Sequence, residues 1–318
     1  MEITPEIREK LEKINDKYAA LGQDMGSYLD GLLYADSVKY WDYIAVDTLL
    51  SLQKPRTSFP DEVIFIIYHQ ITELYFKLAL REFEQIAEKE TLTADFFVER
   101  TTRINRYFEA LTKSFEIMVQ GMEKEQFLKF RMSLLPASGF QSAQYRFIEM
   151  ASTDFINLVH KDKRDAIDPE KTSVKEMYEN IYWKEGATEL SSGKKTLTLK
   201  QFEEKYSKEF IEFAEHQQEN NLWKCYERLS AAEQKRPDVI QAMKQNDVNV
   251  NVNWPLVHYK SAVRYLHKDP SDVAATGGTN WQKYLPPRFQ KRIFYPALWS
   301  KNEIKEWGKS WVEEVLAE

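Results

Sequence analysis

The sequence predicts an all-α protein, a single domain of many helices. Three observations lead there. Apolar residues recur at helical spacing over long stretches, above all in FPDEVIFIIYHQITELYFKLALR, Phe59 to Arg81. No segment alternates apolar and polar residues at the period of a strand. Glycine is scarce, 10 in 318 residues, which suits long helices and disfavours a turn-rich β fold. No internal repeat or low-complexity linker divides the chain, so the domain is expected to run over residues 1–318.

Composition narrows the function classes. Hydrophobic residues make up 43% and charged residues 30%, an ordinary globular balance. The formal net charge is −6 and there is no basic stripe, so nothing draws the chain to nucleic acid. Cys225 is the one cysteine, which excludes an intrachain disulfide and a cysteine metal cluster and fits a reducing compartment. The start, MEITPEIREKLEKI, lacks the apolar core of a signal peptide. The longest apolar runs look too short for a bilayer, so a cytoplasmic protein with no membrane partner is expected. Aromatics reach 14%, a stock that suits a large flat ligand but also any large helical core.

The elements follow in order. Residues 5–22 form a charged amphipathic helix, 23–38 are looser, and YWDYIAVDTLLSL (40–52) resumes helical spacing. The helix from Phe59 is opened by Ser58 as N-cap, Pro60 in its first turn, and Asp61 and Glu62 at the positive end of its dipole. Val63, Ile66, Ile67, Leu74 and Leu78 fall on one side and Phe65, His69, Thr72 and Phe76 on another, which predicts a helix buried on both sides. Thr93 caps a second long helix reaching Met122, and a short segment, 124–132, follows. The polar stretch 157–173 reads as an exposed connection, and 174–245 as several shorter helices with a loop at 186–196. Asn251 to His267 is another helix, which Pro255 delays at its start. A loop over 270–284 and a terminal amphipathic helix from Trp299 complete the chain.

Four places could carry chemistry. His69 sits on an apolar helix side; such a lone histidine is most often a hydrogen-bonded core residue, and otherwise lines a pocket. Arg131 lies just before PASGFQS (136–142), where Ser138-x-x-Gln141 reads as a capping box. A guanidinium beside a free helix N-terminus is also a natural carboxylate site. His258, in WPLVH among Trp254, Ala262 and Tyr265, has no second ligand at zinc spacing and suits axial ligation of haem iron better. His160 and His216 stand in polar surroundings and read as surface residues. The paired glycines of ATGGT (275–279) allow close approach to a ligand but do not make a phosphate loop.

Together, DEVIFIIYHQITELYFKL, RMSLLPASGFQSAQYRFIE, the W-x-x-x-H of 254–258 and the later TGG resemble the tryptophan 2,3-dioxygenase family of haem enzymes. The resemblance is good over about residues 37–150 and looser over about 250–285. It implies haem b, one per subunit, with His258 as axial iron ligand, Trp254 packed beside it and Ser138 on the distal side. It implies His69 as the distal histidine near the indole N–H, with Phe65 and Phe127 lining the pocket. Phe127 stands where some members have Tyr. It further implies Arg131 as the carboxylate clamp, Thr276 at the ammonium or carboxylate, and Tyr40, Tyr43 and Ile44 reaching a neighbouring subunit's pocket from an arm over residues 1–58. The expected assembly is a homotetramer, and the expected reaction joins L-tryptophan and O2 to give N-formyl-L-kynurenine. Ala275, Thr279 and Asn280 depart from the family's GTGGSSG, which leaves open another indole or aromatic substrate. A non-catalytic haem sensor and a haem-free helical scaffold are the other readings.

Overall fold

The structure, a computed structural model, describes residues 3–34, 39–134, 139–188, 194–266 and 287–309. Among them every regular element is helical, and extended backbone pairs only at two isolated bridges, Val159 with Ile181 and Thr188 with Lys195. The all-α expectation holds. The chain divides into two compact units, Met1–Gln53 and Lys54–Glu318.

The first unit holds α1 (Pro5–Ala20), α2 (Met25–Tyr34), α3 (Tyr40–Tyr43) and α4 (Val46–Leu50). The Thr4 hydroxyl accepts the Ile7 N–H and Pro5 opens α1, so its start follows helix-capping chemistry. The helix expected over 40–52 is broken: Ala45 adopts a left-handed φ of 50° between α3 and α4. An alanine there costs roughly 1 kcal/mol relative to glycine. None of these four helices has a buried residue.

The second unit is built on α5 (Asp61–Ala87), which runs six residues beyond the sequence expectation. Its start differs too. Pro60 occupies the N-cap, and Ser58 is not the cap. The work falls to buried Glu62, whose carboxylate accepts the Arg56 N–H, the Thr57 N–H and the Thr57 hydroxyl at 2.5–2.8 Å. Those donors outweigh desolvation and lower its pKa. Next come α6 (Ala94–Ser114), capped by Thr93, then α7 (Glu116–Gln120), α8 (Lys124–Phe130) and α9 (Ala143–Ser152). The expected 93–122 helix is interrupted at Phe115. α5 packs chiefly on α6 and α9, with Phe76 near Phe108 (5.9 Å between centroids) and Tyr145 (5.5 Å).

The expectation that α5 is buried on both sides is half right. Tyr68, Thr72, Phe76, Ala79, Phe83 and Ile86 are buried, but Ile67, Ile71, Leu74 and Leu78 are 38–49% exposed. By length and composition α5 could also span a membrane, contrary to the reading that every apolar run is too short. It packs on α6 and α9 as the central helix of a bundle.

The remaining helices close the bundle. The stretch 157–173 contains α10 (Lys161–Arg164) and begins with fully buried Leu158 and Val159, so it is less exposed than expected. His160 is not a plain surface residue: its Nε2 lies 2.8 Å from Glu185. Then follow α11 (Val174–Glu179), α12 (Tyr182–Glu185), α13 (Leu197–Gln217), α14 (Leu222–Glu227) and α15 (Pro237–Val248). A π-helical turn, Asn249–Asn253, leads without a break into α16 (Trp254–Leu266). Pro255 therefore does not delay a helix start. The wider π-turn just before it changes the hydrogen-bond register where proline cannot donate.

That turn is tied from several directions. Buried Asp247 accepts from Asn251 Nδ2 (2.7 Å), the Phe294 and Tyr295 N–H groups (3.0 and 3.2 Å) and Trp299 Nε1 (2.9 Å). Arg292 binds Asn251 and Glu149 and donates to the Tyr145 hydroxyl at 2.8 Å. The segment after residue 287 thus fixes the helix that carries His258.

Candidate active site

His69 and His258 are presented in the same way. Each sits on a long helix and directs Nδ1 at the carbonyl one turn earlier, 2.7 Å to Phe65 O and 2.8 Å to Trp254 O. A carbonyl only accepts, so Nδ1 carries the proton and Nε2 keeps its lone pair. Neither Nε2 has a hydrogen-bond partner among the described residues. His69 has open ring surface and His258 is half-buried, yet both are densely surrounded by protein. Accessible surface on an enclosed side chain marks the wall of a concavity.

Burial, the largest cause, pushes the His258 imidazole down to about 4, opposed by the Trp254 carbonyl; the charge of His69 adds to the depression. The two imidazoles therefore feel each other. Burial lowers His69 as well, against the Phe65 carbonyl and Glu73. Both rings are neutral near pH 7, the form that binds a metal.

Aromatic side chains fill the space around them. Trp254 lies 4.3 Å and Phe115 4.4 Å from the His258 ring. Phe65 lies 4.0 Å from the His69 ring and packs on Phe127 (6.3 Å) and Phe130 (5.8 Å). Phe127 continues to Tyr265 on α16 at 4.6 Å. Tyr68 meets His69 at 6.4 Å and Phe115 at 5.6 Å, so one wall joins the two histidines. Its hydroxyl is anchored to the Leu111 carbonyl (3.2 Å) and Ser114 (3.1 Å).

The sequence-expected residues divide into three groups. His69, Phe65, Phe127, His258 and Trp254 come together in the second unit. Arg131 caps α8 directly after Phe130 and is buried (6% exposed), and desolvation lowers its pKa. Tyr40, Tyr43 and Ile44 belong to the first unit, at 73%, 82% and 39% exposure. Ser138 and Thr276 lie outside the described residues. The helix after PASGFQS is capped by Ser142, which accepts the Tyr145 N–H. Phe115, Phe130 and Tyr68 are wall residues that the sequence expectation does not include, and Tyr265 enters it only as a neighbour of His258. The sequence marks them only as apolar positions at helical spacing. A cleft of about 230 Å³ lined by Leu80, Phe83, Phe147 and Phe213 lies elsewhere and contains none of the site residues.

The tryptophan 2,3-dioxygenase family model matches residues 32–252, more than two thirds of the chain. The chain belongs to the tryptophan 2,3-dioxygenase family. Over 118 residues it is 40% identical to a tryptophan 2,3-dioxygenase of Ruegeria sp. (strain TM1040), covering 36% of this chain and 42% of that one. It is 37% identical over 120 residues to that of Bradyrhizobium diazoefficiens, with the same two shares. For that of Pseudomonas fluorescens, identity is 38% over 119 residues, covering 36% of this chain and 41% of the relative. The chain thus spans about two fifths of the length of the curated relatives it matches. The family match ends before His258, so the case for that residue rests on its surroundings.

A neutral buried histidine leaves a pH signature. As pH falls from 6.5 towards 4, the unfolded chain binds a proton that folded His258 refuses, so stability is lost. Asp247 acts oppositely, because burial pushes its carboxyl up to about 6 and protonation then favours the folded state. The two partly cancel in the wild type. The stability difference between wild type and His258→Leu isolates the histidine. It should shrink by about 2 kcal/mol between about pH 7 and about pH 4.5 in urea unfolding without haem. A difference constant with pH contradicts the buried neutral imidazole.

Proposed function

We propose that the chain is a haem-dependent dioxygenase that converts L-tryptophan and O2 to N-formyl-L-kynurenine by cleaving the indole C2–C3 bond. The observation that carries this reading is the pair of neutral imidazoles, each with a lone-paired Nε2, joined by one aromatic wall through Tyr68 and Phe115. These residues fit haem b. His258 would hold the haem iron through Nε2, since its Nδ1–H is already engaged, which fixes its tautomer and orientation. Trp254 and Phe115 supply flat apolar surface beside it. When bound, haem supplies the iron that activates O2, chemistry no side chain here can perform.

The protein's own residues bind and orient the substrate. Phe65 and Phe127 offer the indole an apolar wall and keep water from it. Arg131 pairs with the substrate carboxylate as a bidentate partner, and Thr276 meets its ammonium or carboxylate. His69 Nε2 accepts the indole N–H and so positions the ring, while its Nδ1–H stays on Phe65 O. By the family resemblance, Ser138 would help to hold the haem. The functional unit is one haem domain whose residues 1–58 form an arm, with Tyr40, Tyr43 and Ile44 completing the pocket of a neighbouring copy in a homotetramer. The exposed apolar surface of the first unit supports that role. The relatives are bacterial, and a cytoplasmic location accords with the reducing compartment expected for the lone buried Cys225.

An absorption titration tests the proposal. Haem-supplemented, reduced protein should show a Soret band that shifts on adding L-tryptophan. A band indifferent to L-tryptophan points to another substrate or a sensor, and no band at all removes the haem site. Since His69 orients substrate and does not hold haem, His69→Ala should keep the Soret band and lose about tenfold to a hundredfold in turnover, within the range for a lost positioning contact. Complete loss of haem in that variant contradicts the assignment.

A further inference from the structure

The turn that leads into α16 has a carbonyl its own helix cannot serve. The Trp254 N–H reaches Asn249 O, which is the π-helical step. The next donor in that register is residue 255, and its acceptor is Val250 O. Residue 255 is proline and has no N–H. Val250 is fully buried, where an unpaired carbonyl is costly. Two side chains from elsewhere in the chain replace the missing donor. The Tyr145 hydroxyl donates to Val250 O at 2.8 Å, and Arg292 Nη2 donates to it at 3.4 Å. Arg292 also donates from Nε to Asn251 Oδ1 and from Nη2 to the Tyr145 hydroxyl at 2.8 Å. Its Nη1 is held by Glu149, which Arg146 holds in turn at 3.0 Å.

The turn sets which side of α16 meets the core. Asn249 faces α6, where its Nδ2 donates to Asn105 O at 3.4 Å. In an unbroken α-helix Asn253 and then Val257 follow Asn249 on that side. The π-turn holds one residue more, so Trp254 and His258 come there instead, 5.3 and 4.4 Å from Phe115 at the end of α6. Were the turn to relax to α-helical pitch, the helix beyond it would rotate by about 100° and carry the His258 ring away from Phe115.

We infer that Arg292 is a positioning residue for the iron ligand: together with Tyr145 it holds the π-turn, and the turn aims His258. The inference rests on the reading of His258 as the haem ligand, and it assigns a part in that site to a residue from the far end of the chain.

The test compares haem binding by the wild type, Arg292→Met, and Arg292→Met with Asn253 deleted. Arg292→Met should bind haem at least about tenfold more weakly, the loss typical of a group that orients a metal ligand, with an unchanged helical circular dichroism spectrum. Deletion of Asn253 puts Trp254 one α-helical turn after Asn249, so an ordinary helix now aims His258 as the π-turn did. The deletion should therefore restore most of the lost affinity, whereas a residue that only stabilises the fold predicts a further loss. Affinity unchanged in Arg292→Met, or lost and not regained on deletion, overturns the inference. If Arg292→Met does not fold, Tyr145→Phe takes its place, since it removes one donor from Val250 O and leaves each charge paired. It should shift the iron–histidine stretching band of the reduced protein in resonance Raman spectra, and an unshifted band overturns the inference. A wild type that takes up no haem removes the ligand reading. The haem-free protein then decides the positioning: the His258 ring-proton signals, displaced by the Phe115 ring, should move in Arg292→Met and return on deletion of Asn253. Signals that stay fixed overturn it.

Discussion

Replacing His258 with alanine should weaken haem binding at least a hundredfold, a loss of about 3 kcal/mol. The reasoning starts from the state of the imidazole. Burial holds it neutral, with its pKa down to about 4, so no proton competes with iron near pH 7. Its Nδ1–H is committed to the Trp254 carbonyl at 2.8 Å, which leaves Nε2 as the one donor atom. Trp254 and Phe115 hold the ring on two sides, and the π-turn tied to Asp247 and Arg292 fixes the start of its helix. Alanine removes the ligand and leaves those walls standing. External imidazole should therefore enter the space and restore part of the Soret band, which a merely unfolded variant would not do. Unchanged haem affinity in His258→Ala removes the ligand assignment.

Replacing Arg131 with leucine should raise KM for L-tryptophan about a hundredfold, within the 2–5 kcal/mol typical of breaking a buried charge pair. Arg131 is buried at the end of α8, next to Phe130, and desolvation lowers its pKa. The proposed carboxylate clamp uses its planar fork for a bidentate pair. Arg131→Lys keeps the charge but loses the planar fork, so its effect should be smaller, about tenfold. Tryptamine, which has the indole but no carboxylate, separates binding from folding. Its weak turnover should be nearly the same in wild type and Arg131→Leu. An equal loss for both compounds would mean that Arg131 holds the fold and not the substrate.

The site was legible in the sequence where chemistry and periodicity coincide. His69 and Phe65 are four residues apart, so one helix brings their rings together. Trp254 and His258 have the same spacing, with their rings meeting edge-on. The contacts between helices were not legible. Phe115 touches His258 only because α6 ends there and α7 turns away, a break that no proline or glycine announces. Likewise, Glu62 replaces Ser58 at the start of α5 because a buried carboxylate satisfies three donors where a serine caps one. The exposed row on α5 misled for a related reason. Apolar spacing marks a helix face, and it does not say whether the chain itself buries that face.

Oxygen labelling of the product tests the central claim most directly. The protein would be loaded with haem, reduced, given L-tryptophan and exposed to 18O2, and the product mass recorded. The account predicts N-formyl-L-kynurenine carrying two labelled atoms, with both oxygens from one O2 placed across the former C2–C3 bond. A product with a single labelled oxygen and an intact indole ring, or no oxygenated product from a haem-loaded protein, would contradict it.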